Sequence, residues 1–327
     1  MHAPTDAVRD ATQPDNRYFR PRRLGHVNLV IDNLDTSMRF YREIVGFEEA
    51  YRVLAIQGGF LSNGNTHHDI GMVARAGPSG RGRAPGLNHL AFELETEVDL
   101  VAGYERAIRD QVVFQRTLDH DIAHSAYCAD PDGNSCELYA DVVRDWRNAR
   151  TGSVTKPKPA WSPGMTQPCT ECNYDPPPPE IRRVEHAVFH PVRTKHATLA
   201  MARIEDSIRF YTQTIGLDLL VYPGHRAYAL LGGTCGERNI ALIQAPKDTP
   251  ASMHHFGVEM FSEAELDASV ARLQADGLIA EKAVDHPLRR AVFLRDPDGL
   301  RLQLFVDRIA EPPLWADVDP QQAAWVL

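Results

Sequence analysis

The sequence predicts an α+β fold made of paired βαβββ modules, four of them in two domains. Three observations carry this expectation. First, GHVNLVIDNLDTSMRFYREIVGF from Gly25 aligns without a gap to KHATLAMARIEDSIRFYTQTIGL from Lys195, so the chain contains an internal duplication. Second, each half runs strand, helix and short strands, and then starts that order again: LNHLAFELE near residue 89 matches HHFGVEMFS near residue 255. Third, residues 150 to 180, RTGSVTKPKPAWSPGMTQPCTECNYDPPPPE, show neither a helical nor a strand period and are rich in proline, as an extended linker is. A chain of 327 residues suits two domains of about 150 residues each.

Taken in order, residues 1–22 read as a polar lead-in without the apolar core of a secretory signal, which favours a cytoplasmic protein. Leu24 to Ile31 alternate as a strand. A helix follows, capped at Asp35 and running through Met38, Phe40, Tyr41 and Val45 to Gly46. Leu87 to Leu94 restart the pattern, with a helix around Val98 to Asp110 and strands up to Ala140. The expected boundaries are 23–149 for a catalytic domain, 150–181 for the linker, 182–310 for a second, non-catalytic domain and 311–327 for a C-terminal tail.

Composition narrows the function. The formal charge is -9 and no long basic run occurs, which argues against a nucleic-acid or anionic-membrane surface and for a small-molecule partner. No stretch approaches the roughly 18 to 20 apolar residues needed to span a bilayer. The five cysteines have no disulfide-framework spacing and read as reduced thiols. Cys169 and Cys172 in PCTEC are half of a zinc site at most, with no second pair, and read as a linker feature.

Strand alternation singles out a polar cluster. His26, Asn28 and Val30 share one face while Val27, Leu29 and Ile31 share the other. His89 falls with Ala91, opposite Leu90, Phe92 and Leu94. Glu137 falls with Ser135 and Tyr139, opposite Cys136, Leu138 and Ala140. If the apolar faces pack on helices, two imidazoles and one carboxylate point into whatever the sheet encloses. Two His and one carboxylate leave half an octahedron open, the ligand set of non-haem Fe(II) oxygenases.

The stretches GHVNLVIDNLDTSMRFY, THHDIGM, LNHLAF and DHDIAHSAYCADPDGNSCELYAD resemble the vicinal oxygen chelate superfamily, and within it the type I extradiol ring-cleaving dioxygenases similar to catechol 2,3-dioxygenase. They span most of residues 24 to 146. The resemblance implies metal ligands at His26, His89 and Glu137, holding Fe(II) or alternatively Mn(II). It implies a catalytic His at His68, with His67 as its competitor, since alternation lets only one of the two face the cleft. It also implies a catalytic Tyr at Tyr127, whose alternative role is a core aromatic with a satisfied hydroxyl. His120 and His124 flank the same strand as supporting or substrate contacts, or as packing residues. The implied substrates are a catechol-type aromatic diol and O2, the implied reaction is cleavage beside the diol, and the implied assembly is a homo-oligomer. Competing readings on this fold are a glyoxalase- or epimerase-like metal enzyme and a metal-free binding protein similar to bleomycin-resistance proteins.

In the second half the aligned positions are His196, His255 and Gln303, with Phe293 in place of the Tyr and Arg238 near the catalytic His. Gln303 is a neutral, weaker ligand and Phe293 has no proton to exchange. That half is expected to keep the fold without the chemistry, although His196, His255 and Gln303 leave weak metal binding open.

Overall fold

A computed structural model describes residues 16–155, 159–174 and 180–327; most of the expected lead-in and parts of the expected linker lie outside these. Nine strands form the first sheet: β1 (Arg23–Ile31), β2 (Glu49–Val53), β3 (Gly58–Leu61), β4 (Ile70–Ala74), β5 (Gly86–Glu93), β6 (Arg116–Asp119), β7 (Ala123–Ala129), β8 (Ser135–Asp141) and β9 (Gly152–Val154). Their order across the sheet is β6-β7-β8-β5-β1-β4-β3-β2-β9. The second sheet holds β10 (Pro191–Met201), β11 (Asp218–Val221), β12 (Tyr228–Gly232), β13 (Arg238–Gln244), β14 (Ser252–Met260), β15 (Lys282–His286), β16 (Arg289–Arg295) and β17 (Arg301–Asp307). It is ordered β11-β12-β13-β10-β14-β17-β16-β15, the same plan without the ninth strand.

Each sheet is two βαβββ modules joined at their first strands. β1 pairs in parallel with β4, β5 pairs in parallel with β8, and β1 and β5 meet antiparallel. The helices of the first sheet are α1 (Leu34–Arg39), α2 (Glu97–Arg109) and the short α3 (Trp146–Ala149); those of the second half are α4 (Ile204–Arg209), α5 (Glu263–Ala275) and the short α6 (Ala323–Val326). The N-cap of α1 is Asn33, whose side chain accepts from the Thr36 amide, rather than the expected Asp35; Asp35 lies in the first turn, where it faces the helix's positive end. After Arg39 the helix widens into a π-helical turn, Phe40–Val45, and stops at Gly46 with a left-handed φ of 95°. Among the described residues no helix is long and apolar enough to cross a membrane.

One continuous apolar core runs through both halves. It takes Val27, Leu29, Ile31, Leu90, Phe92, Cys136 and Leu138 from the first sheet and Leu199, Phe256, Val258, Leu302 and Leu304 from the second. The repeated sequence motifs lock the halves together across this core. Tyr41 donates to Asp296 at 2.9 Å, and its repeat Tyr211 donates to Asp130 at 3.0 Å. Each aspartate opens a DPDG turn, and its other oxygen accepts two backbone amides of that turn.

Three segments differ from the expected organisation. Within the lead-in, Phe19 is buried against Gly103 and Arg22 pairs with Glu93. Residues 152–154 of the linker add β9 to the edge of β2, and Trp161 is buried. The C-terminal tail packs into the second domain, where Trp315, Val326 and Leu327 are buried. Besides the Arg22 ion pair and the β9 ladder, each segment contributes isolated large apolar residues, Phe19, Trp161 and Trp315, and such residues carry no periodic signal in the sequence.

Candidate metal centre and its cavity

The polar face of β1, β5 and β8 converges as the alternation implies. The Nε2 atoms of His26 and His89 lie 3.2 and 2.9 Å from one oxygen, Oε2 of Glu137. All three side chains are buried. Adjacent donor atoms around an octahedral ion stand about 3 Å apart when each bond is about 2.1 Å, so the spacing fits a divalent metal. His89 Nδ1 meets Asn88 Oδ1 at 3.2 Å, a contact that orients the ring so that Nε2 faces the centre. Burial pushes the Glu137 carboxyl upward, yet hydrogen bonds from His26 and His89 outweigh it and hold the group well below its ordinary range. Burial also lowers His26 to about 4, against the pull of Glu137, so the imidazole is a neutral donor near neutral pH.

His67 and His68 both line the same cavity, which corrects the expectation that only one can do so. They precede β4 in an irregular loop, where the two-residue period of a strand does not apply. Their surroundings separate them. His67 Nδ1 is 3.0 Å from Asp141 Oδ1, a buried pairing that fixes the ring. His68 Nδ1 lies 3.4 Å from the Tyr51 hydroxyl, while its buried Nε2 has no hydrogen-bond partner among the described residues. Its ring lies against that of His26, with centroids 3.8 Å apart. Burial first, then the neighbouring His26 and His67, hold His68 well below its ordinary range. His26, His67 and His68 also form a second group whose ligand atoms lie close together, but this set has no carboxylate to offset a cation's charge.

Tyr127 is buried on the opposite wall. Its hydroxyl is 3.1 Å from His120 Nε2, and its ring stands edge-on to His89. Burial and the nearby Glu137 carboxylate push the phenol well above its ordinary range, so it stays protonated. His120 lines the cavity, with Nε2 3.6 Å from Glu137 Oε1. His124 turns away: it stacks on Trp161 and pairs with Glu97. The cavity these residues enclose holds about 730 Å³, within the range of about 300–1,000 Å³ usual for small-molecule sites.

Among the described residues, the second half shows no such group of ligands. His196 and Gln303 still approach each other, at 3.1 Å, but the buried Arg289 guanidinium lies between them, 3.1 Å from His196 Nε2 and 2.7 Å from Gln303 Oε1. By the offset that aligns Gln303 with Glu137, Arg289 replaces Ala123, a substitution that the aligned ligand positions alone do not reveal. A fixed cation thus stands between two of the three aligned positions. The tail closes the rest: Arg289 donates to Leu327 O, Gln303 donates to Trp325 O, and Phe293 packs edge-on against Trp325.

Comparison with known proteins agrees with this architecture. The family model described as Glyoxalase/Bleomycin resistance protein/Dioxygenase superfamily matches residues 23–138 and again 193–304. A catechol-2,3-dioxygenase of Bacillus subtilis is 24% identical over 274 residues, covering 79% of this chain and 90% of the relative. A biphenyl-2,3-diol 1,2-dioxygenase of Rhodococcus globerulus is 35% identical over 126 residues, covering 36% of this chain and 63% of the relative. Among solved structures, a variant of homoprotocatechuate 2,3-dioxygenase from B. fuscum superposes with a TM-score of 0.65 at 15% identity, over 90% of this chain and 73% of that one. A Mn(II)-bound glyoxalase from Novosphingobium aromaticivorans gives 0.63 at 15% identity, over 88% and 82% of the two chains.

Proposed function

The chain belongs to the glyoxalase, bleomycin resistance protein and dioxygenase superfamily, and from that premise we propose that it is a metal-dependent extradiol dioxygenase acting on a catechol-type diol with O2. The observation that carries this reading is the convergence of His26, His89 and Glu137 on one point of a cavity that also holds the unpartnered Nε2 of His68. The similarity to dioxygenases of catechol and of biphenyl-2,3-diol supports it. The metal is Fe(II), with Mn(II) as the alternative, since imidazole and carboxylate donors serve both. When bound, it supplies a Lewis acid for the diol oxygens and a partner for O2.

The protein's own groups then have distinct tasks. His68, neutral and with Nε2 bare, accepts a proton from a ring hydroxyl and returns it later in the reaction. Tyr127, kept protonated, donates a hydrogen bond that orients the ring oxygen, and His120 fixes the phenol from behind. The apolar walls around Phe60 and Leu87 exclude water from the diol. On the same resemblance the protein assembles as a homo-oligomer, and its polar lead-in favours a cytoplasmic one.

The test is anaerobic loading with Fe(II), then oxygen uptake and formation of a yellow product with a panel of catechols. Uptake coupled to colour, abolished in Glu137→Ala, is the expected result. Tightly held metal without uptake would favour glyoxalase- or epimerase-like chemistry instead, and no retained metal would favour a binding protein.

A further inference from the structure

The glycine-, proline- and arginine-rich insertion at residues 77–85 has no role in the metal centre, yet it forms one wall of the cavity. Pro78, Ser79, Arg81 and Arg83 line it, and Arg116 lines it from the edge strand β6. The insertion is a built loop. The Gly82 amide donates to Arg75 O at 2.8 Å, the Arg83 amide donates to Gly80 O at 3.1 Å, and Arg81 takes a left-handed φ of 54°. Gly80 sits so close to strand β4 that a Cβ there would lie 2.2 Å from Ala74 O.

The cavity is graded along its depth. Its floor is the buried set His26, His89 and Glu137; its waist is apolar, with Ile56, Phe60, Leu87 and Leu118; its exposed mouth carries three guanidiniums. Among the described residues none of these arginines has a carboxylate partner, although the chain holds 44 acidic side chains against 35 basic ones. Burial first, then the like charges of Arg116 and Arg81, lower Arg83 from its ordinary range. Such a grouping is unfavourable until an anion enters it, and the planar guanidinium fork matches a carboxylate.

We propose that Arg81, Arg83 and Arg116 form an anion-binding rim, so that the substrate is a diol with an apolar body and a carboxylate at the end remote from its hydroxyls. This inference rests on the diol reading of the cavity floor. Arg116 also lies over the Tyr127 ring at 4.2 Å, so its guanidinium plane is already fixed for the ligand.

The experiment is anaerobic binding to the Fe(II)-loaded full chain of two probes, 2,3-dihydroxybiphenyl-4′-carboxylate and its neutral 4′-carboxamide. The carboxylate should bind about tenfold or more tightly, the scale of one charge-assisted hydrogen bond. The preference should shrink at high salt and fall to about twofold or less in Arg81→Gln/Arg116→Gln, whose side chains make no hydrogen bond that holds the loop among the described residues. Arg83→Lys should keep part of it, because Lys retains the charge without the fork. Equal affinity for the two probes, a preference untouched by the double substitution, or no binding of either probe would overturn the rim. Oxygen admitted afterwards reads the reaction separately: an intact charge preference without uptake leaves the rim standing and counts against the dioxygenase reading alone.

Discussion

His67 and His68 are neighbours in sequence with opposite circumstances. Asp141 holds one ring through a buried pairing, while the other is walled by Tyr51 and Phe60 and keeps a bare Nε2. Burial, then the neighbouring His26 and His67, outweigh the pull of Glu137 and keep His68 unprotonated and able to accept a proton. His68→Ala is therefore expected to lower turnover by about a hundredfold or more while iron content stays near that of the wild type. Steady-state rates alongside metal analysis check this, and unchanged turnover would remove the assigned role. The choice between the two histidines was not legible in the sequence. Their partners Asp141 and Tyr51 lie far along the chain, and the irregular loop offers no period from which to read facing. His26, His89 and Glu137 were legible because each sits on a regular strand whose other face is continuously apolar.

Among the elements, the strands carry the chemistry and the helix ends carry the assembly. The RFY segments place Tyr41 and Tyr211 in matching π-helical turns, and each hydroxyl reaches the DPDG aspartate of the other half. The repeats were visible in the sequence, but their reciprocal pairing was not, since periodicity says nothing about which element meets which. Burial raises Asp296 from 3.8 to about 6, against the hydrogen bonds it accepts. A carboxyl raised in this way is protonated in both folded and unfolded chains below about pH 4, and in the folded chain alone between about 4 and 6. Stability from this group is thus full at low pH and lost as pH rises through 6, by on the order of 3 kcal/mol. The expected outcome is that Asp296→Asn, compared with the wild type in denaturant melts at pH 5 and pH 7, flattens the pH dependence between them. A difference between the two proteins that does not change with pH would refute the assignment.

At the scale of the whole molecule, the duplicated halves carry different residues at the aligned sites. The second half holds the loop that carries His67 and His68: Asn63 donates to Pro191 O at 3.0 Å, and Asp69 accepts from the Thr194 amide at 3.0 Å. Its own site is filled from within by Arg289 and capped by the tail. From sequence, the loss of Glu and Tyr at Gln303 and Phe293 gave the expectation of a half without the chemistry, with weak metal binding left open. The occupation by Arg289 was hidden because that residue aligns with Ala123, which is not a ligand position, and the tail was hidden because Trp325 and Leu327 stand outside any repeat. The most direct test of the central claim, one metal centre in the N-terminal half, is the iron content per chain of the wild type, Glu137→Ala and Gln303→Ala after anaerobic loading. One equivalent is predicted for the wild type and for Gln303→Ala, and essentially none for Glu137→Ala. Two equivalents in the wild type, or loss of iron with Gln303→Ala but not with Glu137→Ala, would contradict it.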